Sequence, residues 1–326
     1  MVNPSAGKGR AARVARTVRF GLAAAGLAAL DLSGPDLPTA VARARTGLAQ
    51  GIDALVVVGG DGMVHLGVNV VAGTGVPLGV VAVGSGNDVA RDLGLPVHDA
   101  GASVALITAA LGLGEEPSRA GRGAGAGRRA VPDGAPGIRT LDAVAVSRPG
   151  GAVEHWYMAV LSCGIDAAVN DRANHMTWPA GAGRYVRALT VELAAFEPFG
   201  YRVTMDGEVW EGDGTLVAVA NTRRFGGGML IAPDAEPDDG MLDVLIAEGL
   251  SRSAVVRVFP RLYSGSHLSH PAVHVRRARS VLLEPMAGLG AAPPVAFADG
   301  ERLDALPLQC DLHPGAVRVL ARTLGA

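Results

Sequence analysis

The chain has 326 residues, 49% of them hydrophobic and 18% charged. That is enough for two domains with sizeable cores, and it excludes a disordered chain. A net charge of −2 gives no footing for a nucleic-acid partner, and two cysteines, Cys163 and Cys310, stand in no metal-binding spacing and fit a reducing cytoplasm.

The start, Met1-Val2-Asn3-Pro4, leaves almost no room for the strand that normally opens an α/β domain, so the native start is expected some residues upstream. Residues 10–28 and 39–50 have the pattern of amphipathic helices. Ala54–Val58 and Pro77–Val83 are Val-rich apolar runs of the kind found in buried parallel strands. Each leads into a helical segment, Val64–Val71 and Asp88–Leu93. This alternation predicts an α/β nucleotide-binding domain over 1–113, rejoined by 313–326. Residues 114–137, made of Gly, Ala, Arg and Pro without period, are expected to be a flexible insertion.

Beyond it the texture becomes β-rich. Ile138–Ser147, His155–Cys163, Tyr201–Met205, Leu216–Ala220, Met241–Ala247, Val273–Arg276, Ser280–Glu284 and Pro294–Ala298 are strand-like, with turn dipeptides between several of them. They predict an antiparallel β domain over 138–312, with a helical excursion within 170–198. No signal peptide is evident. Apolar runs are broken by Gly, Pro or charge before bilayer length, so no transmembrane helix is expected.

Two glycine turns stand where strands end and helices begin: Gly59-Gly60-Asp61-Gly62, and 25 residues further on Gly84-Ser85-Gly86-Asn87-Asp88. Glycines there let backbone N–H groups approach an anion, and a helix N-terminus favours phosphate. The carboxyl edge of an α/β sheet is where such folds bind ligands. An acid in a phosphate loop repels its ligand unless a metal ion or a transferable proton intervenes. Asp61 therefore points to Mg²⁺-nucleotide, or else it is only an N-cap in a tight turn. Asn3 to Gly9 forms a third glycine loop, but the pattern G-x-x-x-x-G-K-[ST] is absent, as is the Rossmann fingerprint.

Together with CGIDAAV at 163–169, the segment from Val219 to Val244 and ADGE at 298–301, these loops resemble the diacylglycerol kinase catalytic-domain family of lipid kinases, in family order and over nearly the whole chain. The resemblance implies an N-terminal α/β domain, a C-terminal β-sandwich-like domain, and transfer of the ATP γ-phosphate to a lipid hydroxyl with Mg²⁺. It places Asn3, Ser33, Gly59, Gly60, Asp61, Gly62, Gly84, Ser85, Asn87 and Asp88 at the nucleotide. It places a structural Mg²⁺ at Glu236, Asp239 and Met241, through the Asp239 side chain and the other two carbonyls. It leaves the base open among Asp61, Asp299 and Glu301. It also implies a cytoplasmic protein that visits a membrane surface, with the lipid identity open and the oligomeric state open up to a homodimer. Two positions depart from the family: Met63 stands for the usual Thr, and Leu66 where Glu is common.

Plainer readings compete. Asp-Gly-Glu also occurs at 206–208, where it reads as a hairpin turn, and Asp299 can be the same thing. Asp238-Asp239-Gly240 can be a solvated turn. His267, His270 and His274 fit surface or packing roles better than a metal site. Arg223-Arg224 can meet phosphate, a lipid headgroup or neither, and Cys163 reads as core. The alternatives to a lipid kinase are a kinase of a soluble acceptor, as NAD kinases share a GGDG-type loop, and a nucleotide- or lipid-binding module without catalysis. A Rossmann oxidoreductase is weakened by the missing fingerprint.

Overall fold

The computed structural model describes residues 1–2, 10–112, 137–179 and 182–322. The chain divides into two compact units, one of Met1–Leu141 with Gly315–Ala326 and one of Asp142–Pro314. Asn3 and the 114–136 part of the expected insertion lie outside the described residues.

In the first unit, helix α1 (Arg10–Ala24) buries Val18 and Leu22. It stops at Gly26, whose φ of +80 lets the Leu27 N–H return to the Leu22 carbonyl at 3.0 Å. Helix α2 (Leu37–Ala49) starts because Asp36 accepts the Thr39 N–H at 2.8 Å and Pro38 sits in its first turn, where no N–H is needed. Strands β1 (Leu55–Gly59) and β2 (Leu78–Ala82) pair in parallel, Leu55 opposite Leu78 through Gly59 opposite Ala82. Every residue of β2 is buried, as expected for a strand covered on both faces. Helix α3 (Asp61–Val71) follows β1 directly, and the short α4 (Asp88–Asp92) follows β2. Helix α5 (Ala100–Ala110), capped by Asp99 accepting from the Ala102 N–H, packs against α1 and β2. Val2 makes a parallel bridge to Val58.

Strand β3 (Ile138–Ser147) carries the chain from the first unit into the second. The expected strand His155–Cys163 is two strands, β4 (Val153–Tyr157) and β5 (Val160–Gly164). The break falls at Met158-Ala159 because their N–H groups go to the Asp299 carboxylate instead of a neighbouring strand. The helical excursion is α6 (Ile165–His175) and α7 (Ala182–Ala195), so it begins earlier than the sequence pattern placed it. Strands β6 (Phe199–Met205) and β7 (Glu208–Ala220) form the hairpin turned by Asp206-Gly207, both with positive φ. A two-stranded ribbon, β8 (Arg224–Phe225) with β9 (Met229–Leu230), precedes β10 (Leu242–Glu248). Helix α8 (Arg252–Val258) is capped by Ser251, and β11 (Val273–Ala278) and β12 (Ser280–Pro285) follow. Next come β13 (Phe297–Ala298) and β14 (Glu301–Arg302), and last β15 (Leu308–Leu320).

The core of the second unit is built from alternate residues of antiparallel strands, among them Val144, Leu161, Val217, Val244, Val281 and Leu308. Two tyrosines are fully buried there with their hydroxyls satisfied: Tyr157 donates to the Val219 carbonyl and Tyr201 to that of Cys163. The C-terminal part of β15 belongs to the first unit, where Val319 pairs in parallel with Leu78. No described helix is long and apolar enough to cross a membrane.

Candidate active site

The two glycine turns of the first unit interlock. A Cβ on Gly84 would lie 2.4 Å from the Gly60 Cα, and a Cβ on Gly60 would lie 3.1 Å from the Gly84 Cα. A side chain at Gly84 would overlap backbone, so glycine is required there, and one at Gly60 would press on the same contact. Asn87, in the left-handed region at φ 58, grips the Gly84 peptide from both sides. Its Oδ1 accepts the Gly84 N–H at 2.9 Å and its Nδ2 donates to the Gly84 carbonyl at 2.7 Å. Asp61, in the first turn of α3, reaches across to the second turn. Its Oδ2 accepts the Asn87 N–H at 2.7 Å and its Oδ1 the Val89 N–H at 3.3 Å.

The acid among the glycines is therefore a tie between two loops, and its negative charge faces the first turn of α4. Asn87 and Asp88 are buried, and Ser85 is exposed at the tip of the loop. Gly59 is needed for another reason: a Cβ there would meet the Met63 Cγ at 2.4 Å. Met63 and Leu66, the two departures, are both buried in the packing of α3. Ser33 lies between α1 and α2, and its hydroxyl accepts the Val2 N–H at 3.0 Å.

In the second unit Asp299 and Gly300 are the central residues of the β13–β14 hairpin, with φ of 52 and 83. This repeats the backbone of Asp206-Gly207. The Asp299 carboxylate accepts three N–H groups, from Met158 at 3.1 Å, Ala159 at 2.9 Å and Val160 at 3.3 Å. Asp206 likewise accepts from the Arg279 and Ser280 N–H groups. Asp299 is buried, whereas Glu301, the first residue past the turn, is exposed.

The 236–241 loop has a cation of its own. The Asp239 Oδ1 accepts the Met241 N–H at 2.9 Å, and its Oδ2 is bonded to the Arg277 guanidinium. Asp142 fixes the loop from β3 by accepting the Gly240 N–H at 2.8 Å. The carboxylate that the resemblance assigns to Mg²⁺, that of Asp239, is here paired with Arg277. Among the described residues no group of three or more His, Cys, Asp or Glu side chains is placed to hold a metal. The set the resemblance implies, one carboxylate with two carbonyls, is of another kind, and its carboxylate is engaged by Arg277 and the Met241 N–H as the loop stands. The three histidines do not converge either. Buried His267 faces the Ile231 carbonyl, His270 accepts the Ala272 N–H, and His274 pairs with Glu248. Arg223 donates to the Ala235 carbonyl.

Sequence reasoning did not single out Asp166, at the start of α6. Although the residue as a whole is only half-buried, one carboxyl oxygen is sealed from solvent with no hydrogen-bond partner. Burial raises its pKa above the ordinary value, against the opposing pull of Ser162 and the local backbone N–H groups. The only signal was its place inside CGIDAAV. Arg277, the partner of Asp239, was also missed, since 38 residues separate them.

Both halves of the chain match known families. The profile of the diacylglycerol kinase catalytic domain matches residues 1–112, and that of the YegS C-terminal NAD kinase beta sandwich-like domain matches residues 159–321. A diacylglycerol kinase of Mycobacterium tuberculosis is 34% identical over 321 residues, covering 98% of this chain and 93% of the relative. A probable lipid kinase, YegS-like, of Stenotrophomonas maltophilia is 26% identical over 280 residues, 83% of this chain and 79% of the relative. A crystal structure of a diacylglycerol kinase from Bacillus anthracis aligns with a TM-score of 0.65 at 20% identity, over 98% of this chain and 95% of that one, which is a likeness of fold. The chain belongs to the diacylglycerol kinase-like family of lipid kinases, with its N-terminal α/β and C-terminal β-rich domains.

Proposed function

We propose that the protein transfers the γ-phosphate of MgATP to the hydroxyl of a membrane lipid, diacylglycerol or a close relative. The observation that carries this reading is the interlocked pair of glycine turns. They bring two strand ends and two helix starts together, with Gly60 and Gly84 in direct backbone contact and the Asp61 carboxylate bridging the turns. Such a surface holds phosphate through backbone N–H groups, and phosphoryl transfer depends chiefly on positioning and charge neutralisation. Mg²⁺ arrives with the nucleotide as part of the substrate. Asn87 and Asp61 act by holding the turns in shape.

The base is Glu301. Asp299 already accepts three backbone N–H groups, and its role is to fix the hairpin that presents Glu301. The β-rich unit is the lipid-binding half. The protein works in the cytoplasm and meets its substrate at the membrane surface. The family match favours neither a soluble acceptor nor a non-catalytic module. The test is turnover of MgATP with detergent-dispersed diacylglycerol. Glu301→Gln is expected to lower kcat by about 10²–10⁴-fold with nucleotide affinity unchanged, the usual weight of general-base catalysis. Full turnover by that variant would remove Glu301 from the mechanism. Absence of any phosphorylated lipid with the wild-type chain would overturn the kinase reading.

A further inference from the structure

Unusually large apolar side chains stand in water on the helical part of the second unit. Trp178 is 70% exposed, Val186 65% and Val256 56%, and Tyr185 is exposed beside them. Trp178 and the first turns of α7 are joined by Arg187, which donates to the Trp178 carbonyl at 3.0 Å and lies over its ring at 5.5 Å. Between α7 and α8 runs a shallow groove lined by Leu189, Leu193 and Val256, with Arg252 also at its wall. Val186 stands one helical turn before Leu189 and Thr190 of the groove, Val256 lines it, and Arg187 ties Trp178 to the same helix; exposed apolar side chains so disposed mark an interaction surface.

The charges on this face decide what covers it. Arg187, Arg252 and Arg257 are each tethered to a backbone carbonyl: those of Trp178, Phe196 and Ser253. Among the described residues none of the three forms an ion pair. Glu192, the acid within α7, is already taken by Arg172 of α6. The face is therefore apolar at its centre and cationic around it. A tryptophan and a tyrosine beside arginines match a bilayer's interfacial layer, where rings sit at headgroup level and cations meet lipid phosphates.

We propose that this α7–α8 face, with Trp178, is the surface on which the protein rests on an anionic lipid bilayer. The choice of occupant rests on the lipid-kinase reading, while the location rests on these side chains alone. The experiment is flotation of the full chain with vesicles of phosphatidylglycerol and phosphatidylcholine, and with vesicles of phosphatidylcholine alone. The wild type is expected to float with the anionic vesicles, less with the neutral ones, and less again as salt screens the arginines. The double variant Val186→Asp/Val256→Asp is expected to lose at least about tenfold in partitioning, since it exchanges two buried apolar contacts for charges facing lipid phosphate. Val209→Asp, at an equally exposed valine on β7, is the control and is expected to bind like the wild type. Tryptophan emission should shift to the blue on anionic vesicles, and Trp178→Phe should abolish the shift.

Equal flotation of the double variant and the wild type would overturn the location. Failure of the wild type to bind anionic vesicles would overturn the proposal as a whole. So would concentration-dependent self-association that the double variant abolishes while vesicle binding persists, because the face would then belong to a second copy of the chain. Turnover of detergent-dispersed diacylglycerol is measured in parallel. Vesicle binding without that turnover would leave the docking face standing and remove the kinase reading instead.

Discussion

Replacing Asp61 by Asn separates a structural tie from a reacting carboxylate. The wild-type side chain accepts the Asn87 N–H at 2.7 Å and the Val89 N–H at 3.3 Å. Asparagine keeps the size and one acceptor, but it turns an NH₂ toward one of those two donors. A hydrogen bond to a charged acceptor is worth about 1.5–3 kcal/mol, so loss of one contact should weaken the second turn by about 2 kcal/mol. Because each 1.4 kcal/mol is tenfold, the Asn87 and Val89 amides should exchange about thirtyfold faster in the variant. Amide exchange of the peptide spanning 84–95 measures this directly. MgATP affinity, titrated separately, should fall with it, because a loosened loop must be reordered when phosphate binds. Unchanged exchange at these two amides would refute the tie. Unchanged exchange and affinity with turnover lost would show that Asp61 acts on the reacting groups themselves.

The Gly60–Gly84 contact makes a second test: Gly84→Ala puts a methyl against backbone and should cost about 1–3 kcal/mol and weaken MgATP binding, while Gly101→Ala, at an exposed position of α5 where the methyl would meet only the Asp99 Oδ1 at 3.4 Å, should stabilise slightly. Thermal melts with and without nucleotide compare the two. Both thiols are buried, the Cys310 thiol pushed up to about 12 and the Cys163 thiol also raised by burial, so a thiol reagent near neutral pH should label neither in the native protein and both in denaturant. Rapid native labelling would show that one of these strands opens. Burial raises the Asp166 carboxyl, so the stability it contributes is present below the ordinary aspartate range and is lost as pH rises through the raised value. Asp166→Asn should therefore melt above the wild type at about pH 8, with the difference fading toward about pH 4, and the opposite trend would refute the sign.

Legibility followed the range of the interactions. Strands β1 and β2 could be read because both faces are covered, which leaves uninterrupted apolar runs. Only the last five residues of the 13-residue β7 were apparent, since its first half, from Glu208, is polar and partly exposed. Helix α8 was missed because seven residues give too little period, although its Ser251 cap was there to be read. The split of His155–Cys163 had no local sign. It depends on a carboxylate about 140 residues away, Asp299, that takes the N–H groups at the break. The candidate site divides the same way. Its glycine turns are local and were visible as a pair, while the crossing from Asp61 to Asn87 and the Arg277 partner of Asp239 exist only in the fold.

One use of aspartate recurs and bears on how such motifs should be weighed. Asp61, Asp206 and Asp299 all adjoin glycine, and each directs its carboxylate to N–H groups of a segment distant in sequence. Irregular backbone leaves donors that no helix or strand satisfies, and leaving them buried and unpaired is costly. A short, charged acceptor beside a glycine can satisfy two or three at once, because glycine lets the chain turn tightly enough to aim it. An acid in a glycine turn thus has a structural claim that precedes any chemical one. The carboxylate able to accept a proton is better sought where the backbone has no use for it. For the proposed kinase reaction that criterion favours Glu301 over Asp61 and Asp299, and under the same proposal the loops around Asp61 are supports whose peptide N–H groups would hold the phosphates.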